Sequence, residues 1–233
     1  MKKVFLLALL AVVMTANAET FVANDNEGVE INDGGIKLDD DSNWKMHFYV
    51  GIDIPTGAPD GVDFAPFRSW EIGATLAQYE YTPKNLKTTL CAGIGLDWRN
   101  YTLSGHDKIF AKVNDVVGVY DRKGDMSELA SRISTCAISL PLMVKQSFSK
   151  NFAVSLGAQL NWNFYSRVNN YYEEGDHEID DQTKKIGERP ITIDVLGMLH
   201  FGDFAVYCKY SPMSVLKKDK GPDFKSLAVG FYF

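Results

Sequence analysis

The sequence predicts an all-β fold, an eight-stranded antiparallel up-and-down barrel, and three observations point to it. Apolar side chains recur at every second position in stretch after stretch, which is the period of a pleated strand whose two faces meet different surroundings. The connections between these stretches alternate long and short, as they do when hairpins follow one another around a closed sheet. The composition also suits pleated surfaces and turns: Phe 14, Tyr 11, Trp 4 and Gly 19 among 233 residues, 45% hydrophobic and 12% aromatic. A collagen, a coiled coil and a disordered tail are excluded, and one domain accounts for the length. With 24 Lys+Arg against 30 Asp+Glu, a formal charge of −6 and a pI near 5.2, no nucleic-acid partner is expected.

Residues 1–18 read as a secretory signal peptide. Met1-Lys2-Lys3 is basic, Val4 to Met14 is apolar, and Ala16-Asn17-Ala18 supplies small residues for cleavage after Ala18. The apolar run is too short for a membrane helix, which takes about 20 residues. Residue 19 is Glu rather than Cys, so lipidation there is not expected. Residues 19–43 are acidic and rich in Asn, Asp and Gly without periodicity, and are read as a flexible periplasmic leader. The barrel is assigned to 44–233.

The first strand sets Trp44, Met46, Phe48, Val50, Ile52 and Ile54 against Lys45, His47, Tyr49, Gly51 and Asp53. The second sets Trp70, Ile72, Ala74 and Leu76 against Glu71, Gly73, Thr75 and Ala77. In the third, Leu90, Ala92, Ile94, Leu96 and Trp98 oppose Cys91, Gly93, Gly95, Asp97 and Arg99. The fourth places Ile138, Leu140, Leu142 and Val144 opposite Ser139, Pro141, Met143 and Lys145. The fifth runs from Phe152 through Leu156 and Trp162 to Phe164, opposite Ser155, Gly157, Gln159, Asn161 and Asn163. Less regular strands cover about 190–201 and 203–212, and the last alternates Leu227, Val229, Phe231, Phe233 with Ser226, Ala228, Gly230, Tyr232. Long polar connections fall at 55–69, 100–130, 167–189 and 213–223. Tight turns fall near Pro83-Lys84-Asn85, Ser149-Lys150-Asn151 and Gly202-Asp203, so long loops share one end and short turns the other.

Three features make the apolar face the outer one, and the barrel transmembrane. The opposite face carries Gly51, Gly73, Gly93, Gly95, Gly157 and Gly230, small residues that suit a narrow lumen. Trp44, Trp70, Trp98, Trp162 and Phe164 stand near strand ends, where aromatic rings favour the headgroup level. The chain ends on Phe233, with Leu227, Val229 and Phe231 at alternate positions before it, and these four are assigned as a signal to the outer-membrane assembly machinery. In lipid every backbone amide must pair within the protein, which closure of the sheet accomplishes.

The stretch Ile138 to Phe148, ISLPLMVKQSF, followed by a Ser-Lys-Asn turn and FAVSLGAQLNW, resembles the hairpin of the Bacteroidetes outer-membrane β-barrel domain family, the porin-like or PorT-like small barrels. Pro141, Leu142, Val144 and Lys145 match the family's usual strand, while Ser139 stands where that strand has an acid and Gln146 where it has an aromatic. The resemblance extends loosely over 44–233. It implies an outer-membrane location and a secretion-linked role.

Little in the sequence points to catalysis. His106 beside Asp107 and His177 beside Asp176 lie in outer loops, and neither a GxSxG elbow nor an HExxH pair occurs. Neither an enzyme nor a cofactor is expected. Cys91, Cys136 and Cys208 lack metal spacing and are read as small apolar residues. Glu173, Glu174, Asp176, Glu178, Asp180 and Asp181 form an acidic loop able to hold a bridging divalent cation, yet without the order of an EF-hand; Tyr171 and Tyr172 offer contact area to a surface protein or glycan. Lys45, Asp53, Glu71, Asp97, Arg99, Arg132 and Asp194 are candidates for a lumen ion-pair network. The expected partners are outer-membrane lipid, lipopolysaccharide and the assembly machinery, around a monomer with a side-chain-filled lumen. Its work is read as structural or recognitional, in envelope integrity, adhesion or an envelope machine. A small gated channel, and a soluble exported lipocalin-like barrel with an apolar pocket, remain the alternatives.

Overall fold

The computed structural model describes residues 31–32, 35–37, 44–83, 87–105, 107–121, 130–174 and 177–233. The signal peptide and most of the leader lie outside the described residues. The strands are β1 (Ile31–Asn32), β2 (Gly35–Lys37), β3 (Trp44–Thr56), β4 (Trp70–Tyr81), β5 (Thr88–Thr102), β6 (Lys108–Val113), β7 (Val116–Asp121), β8 (Ala130–Ser149), β9 (Phe152–Glu174), β10 (His177–Lys184), β11 (Ile191–Phe201), β12 (Phe204–Ser211) and β13 (Lys225–Tyr232). A single 3-10 turn spans Pro66–Arg68, and no α-helix occurs among the described residues.

The main sheet is antiparallel and closes on itself. From β3 it passes through β13, β12, β11, β9, β8, β5 and β4, and β4 pairs back onto β3. The closing seam runs from Trp44 opposite Tyr79 to Ile52 opposite Trp70. On the other side of β3, β13 runs from Lys225 opposite Thr56 to Tyr232 opposite Tyr49. Phe233 and Phe48 then exchange two backbone hydrogen bonds, of 2.8 and 3.0 Å. Closure leaves these strands without an open edge, which is why the chain can repeat apolar strands without exposing a pairing template.

Alternation decides what lies inside. Along β9, Leu156 is 65% exposed while its neighbours Ser155 and Gly157 face inward, Ser155 at 1%. Val50, Ile94, Leu142, Val195 and Phe231 are likewise exposed, and Asp53, Glu71, Gln159 and Asp194 are buried. The closed sheet therefore has an apolar outside and a largely polar inside. A lipocalin-like pocket needs the opposite arrangement.

The bulge between Thr75 and Ala77 shifts the alternation of β4. Beyond it, Gln78 is buried while Tyr79 and Tyr81 are exposed, whereas simple alternation sets Ala77 on the inner face and says nothing of Gln78. Two long connections also hold more structure than their polarity predicts. The 100–130 connection contains the β6–β7 hairpin, and β9 continues to Glu174 in a hairpin with β10 over residues 167–184. Strands that leave the apolar belt have no reason to alternate, so period alone is blind to them. In the leader, β1 pairs with β2, and β2 with β3 at Ile36 opposite Met46 and Lys37 opposite Lys45; these are strands in a segment read as irregular.

Two buried clusters divide the interior. One fills the lumen around Tyr49, Met143, Leu196, Met198, Tyr207 and Tyr232. The other forms where the long connections meet over the mouth: Leu103, Phe110, Val117, Ile186, Leu216 and Phe224 pack together, with Ala58, Val62 and Phe64 against them. Backbone bonds tie the same loops, Ser104 N to Asp63 O at 2.8 Å and Lys217 N to Gly187 O at 2.8 Å. The loops are thus a folded cap.

Candidate functional site

Asp97 and Arg99 on β5, Glu71 on β4, Asp194 on β11 and Lys209 on β12 all point inward at mid-lumen because each stands at an inner position of its strand. Arg99 Nη2 donates to Asp97 at 2.9 Å and to Asp194 at 2.5 Å, and its Nε lies 3.3 Å from Glu71. Lys209 Nζ reaches Asp97 at 2.7 Å and Glu71 at 2.8 Å, with the ring of Tyr49 4.7 Å away. Neutral donors complete the carboxylates: Tyr207 OH to Glu71 at 2.6 Å, Gln159 Nε2 to Asp97 at 3.0 Å, Asn161 Nδ2 to Asp194 at 2.7 Å. Ser226 donates to Asp53 and Ser211 to Asp194. Burying ions costs several kcal/mol each in desolvation, which the pairing of Arg99 and Lys209 with Glu71, Asp97 and Asp194 offsets; Asp53 Oδ2 is left without a hydrogen bond.

The lumen glycines make room for this layer. A Cβ on Gly73 would fall 2.2 Å from the Tyr49 ring, and one on Gly230 would strike the Val50 carbonyl oxygen at 2.1 Å and Tyr207 at 2.8 Å. Two spaces beside the network, of about 10 and 20 Å³, are each about the size of a single water.

Of the residues expected in the network, Glu71, Asp97, Arg99 and Asp194 meet, while Asp53 is buried beside them and accepts from Ser226. Lys45 pairs instead with Glu80 at 3.0 Å, near the short-turn end. Arg132 is a correction: it lies between inward Ser131 and Ile133 on β8 and so projects from the outer face at the loop end. Lys209, Tyr49 and Tyr207 are the members that sequence reasoning missed. Parity held the signal, because Ala205, Tyr207, Lys209 and Ser211 share one face of a strand whose apolar face is irregular.

The three histidines among the described residues lie apart from the charged network. His47 stacks on Tyr232 at 4.7 Å, with Nδ1 3.2 Å from the Phe233 carbonyl oxygen. His200 Nε2 and Ser155 Oγ lie 2.7 Å apart, yet Ser155 is 1% exposed and the pair serves to tie β9 to β11. His177 is exposed, and His106 lies outside the described residues. All three cysteines are free: Cys91 buried, Cys136 half-buried, Cys208 exposed. No group of three or more metal-binding side chains forms among the described residues. The acidic loop falls partly outside them, at Asp176.

The outer surface is organised as well. Phenylalanines ring the short-turn end in consecutive contacts: Phe148 to Phe152 at 5.9 Å, Phe152 to Phe201 at 5.5 Å, Phe201 to Phe204 at 5.9 Å, Phe204 to Phe231 at 6.5 Å and Phe231 to Phe233 at 6.4 Å. At the loop end stand Trp162, Phe164, Trp70 and Trp98. Leu227, Val229, Phe231 and Phe233 share the outer face of the last strand. No protein-family model matches this chain, and no curated protein matches it.

Proposed function

We propose that the closed sheet is an eight-stranded transmembrane barrel of a bacterial outer membrane, a monomer with loops outside and short turns in the periplasm. Its role is structural or recognitional rather than transport. The observation that carries this reading is the exposed apolar belt bounded by aromatics at both ends. From Phe152 to Trp162 along β9 is 162 − 152 = 10 steps. At about 3.3 Å per residue and a tilt of about 40°, the belt stands about 25 Å tall, the height of the lipid-facing band in such barrels. A monomeric soluble protein rarely leaves so much contiguous apolar surface in water.

A filled lumen under a packed cap supports a non-conducting barrel over a gated channel. The resemblance of the 138–162 hairpin to Bacteroidetes small barrels supports the outer-membrane assignment and suggests a subunit of an envelope or secretion machine. The folded loops favour recognition of a surface protein or glycan. The belt is tested by Leu156→Arg. In lipid it is expected to destabilise the barrel by about 2–4 kcal/mol, whereas at an exposed site in water its effect stays within about 0.5 kcal/mol. Urea unfolding in bilayers checks it, and a neutral result removes the membrane reading.

A further inference from the structure

On the outer face just above the upper aromatics, the surface changes abruptly from apolar to cationic. The row Ile72, Trp98, Cys136, Tyr165 is followed one register pair on by Trp70, Asn100, Ser134, Arg167, and then by Thr102, Arg132, Asn169. Arg167 lies over the Tyr165 ring at 5.7 Å. Arg132 is within electrostatic reach of both Arg167 and Arg68, and among the described residues of the carboxylate of Asp180. Arg68 is fixed by its carbonyl, which accepts from Thr102 Oγ1 at 2.8 Å. Among the described residues, Arg132 thus stands with two like charges and one opposite charge acting on it.

The donors here are unfulfilled too. Asn100 Nδ2, Arg132 Nε and Arg167 Nε are buried atoms with no hydrogen-bond partner, and Asn100 itself is 3% exposed. Asn100 is oriented, because its Oδ1 already accepts from Ser134 Oγ at 2.6 Å. Arg167 Nη1 is anchored to Gln182 Oε1 at 3.0 Å. Buried donors left unmade destabilise a fold, and these three lie on neighbouring strands in adjacent rows; one buried acceptor there, Asn169 Oδ1, is likewise unbonded, so the donors suit an oxygen-rich ligand. Guanidinium forks match phosphate oxygens in a bidentate manner.

We propose that Arg68, Asn100, Arg132 and Arg167 form a binding site for the phosphate of an anionic, phosphorylated lipid headgroup in the outer leaflet. Height selects the lipid over a free anion: the site stands one to two residue pairs above the belt, where headgroup phosphates meet the rim of a membrane barrel. The proposal rests on the membrane reading, and the test separates the two. The full-length mature protein is incorporated into nanodiscs, and retained lipid is counted by native mass spectrometry for a bisphosphorylated glycolipid and for its dephosphorylated form. Wild type is expected to retain the phosphorylated lipid at least about tenfold better, and Arg132→Gln/Arg167→Gln to lose that preference. Lys217→Gln/Lys218→Gln, on the loops opposite, is expected to keep it. Arg132→Lys/Arg167→Lys, with the charge but not the fork, is expected to fall between, and unchanged heat-modifiable migration shows that each variant is folded. Equal retention of the two lipids by wild type, or undiminished preference in the Gln variant, overturns the site but not the barrel. Displacement by millimolar inorganic phosphate overturns the lipid assignment. Failure to enter bilayers at all removes the membrane reading and the site with it.

Discussion

Lys209 is 2% exposed and holds two carboxylates at once. Lys209→Met is therefore expected to destabilise the barrel by about 3–5 kcal/mol, because it leaves Glu71 and Asp97 buried with less compensation; the midpoint of urea unfolding checks it. The same logic identifies the lumen glycines as sites of steric necessity, and Gly73→Ala is expected to lower stability through the Tyr49 ring it displaces. Outside the belt, Asp115 at the tip of the β6–β7 hairpin is pulled down to about 2, first by its hydrogen bond to Lys112 and then by that to Lys220. A lowered carboxyl pKa means that its contribution is fully present above the ordinary Asp value near 4 and is lost as pH falls through about 2. Amide exchange in residues 112–117 is expected to quicken relative to the lumen strands between pH 4 and pH 2, and unchanged protection would show that Asp115 pins nothing. The charged residues of the network were visible in the sequence apart from Lys209, while Tyr49 and Tyr207 were not, and neither were the partners. Asp97 and Asp194 are far apart in the chain and meet on Arg99 only because the sheet closes.

At the scale of elements, the last strand combines two roles. Its outer residues continue the phenylalanine ring, and its terminal residue pairs with Phe48 through both backbone groups. Deleting Phe233 removes the final hydrogen-bonded pair of the seam and the end of the ring, so assembly into membranes is expected to fall; normal heat-modifiable migration of the deletion variant would count against it. Strands of the closed sheet were legible because successive residues there face either an apolar outer surface or a polar interior, a contrast that repeats with period 2. Above the belt that contrast vanishes. Ser131 and Asn170 hydrogen-bond across β8 and β9 at 2.6 Å, in a stretch that reads as loop because polar pairs carry no period.

For the whole molecule, a closed ring with a charged, fully packed centre and a capped mouth is expected to show no conductance steps in planar bilayers; discrete steps would mean that the cap or the lumen opens. The order of the strands in the closed sheet and the end at which each connection lies follow from alternation and loop length, and the outward face from the small residues opposite it and the aromatics at strand ends, all of them local quantities written residue by residue. Tertiary structure alone decides the rest. Which acids share Arg99 and Lys209, how four loops build one apolar cap, and why Arg132 faces outward with Arg68 and Arg167 all depend on register and on bulges. A one-residue shift in pairing exchanges inside for outside, and no local pattern records where such a shift occurs.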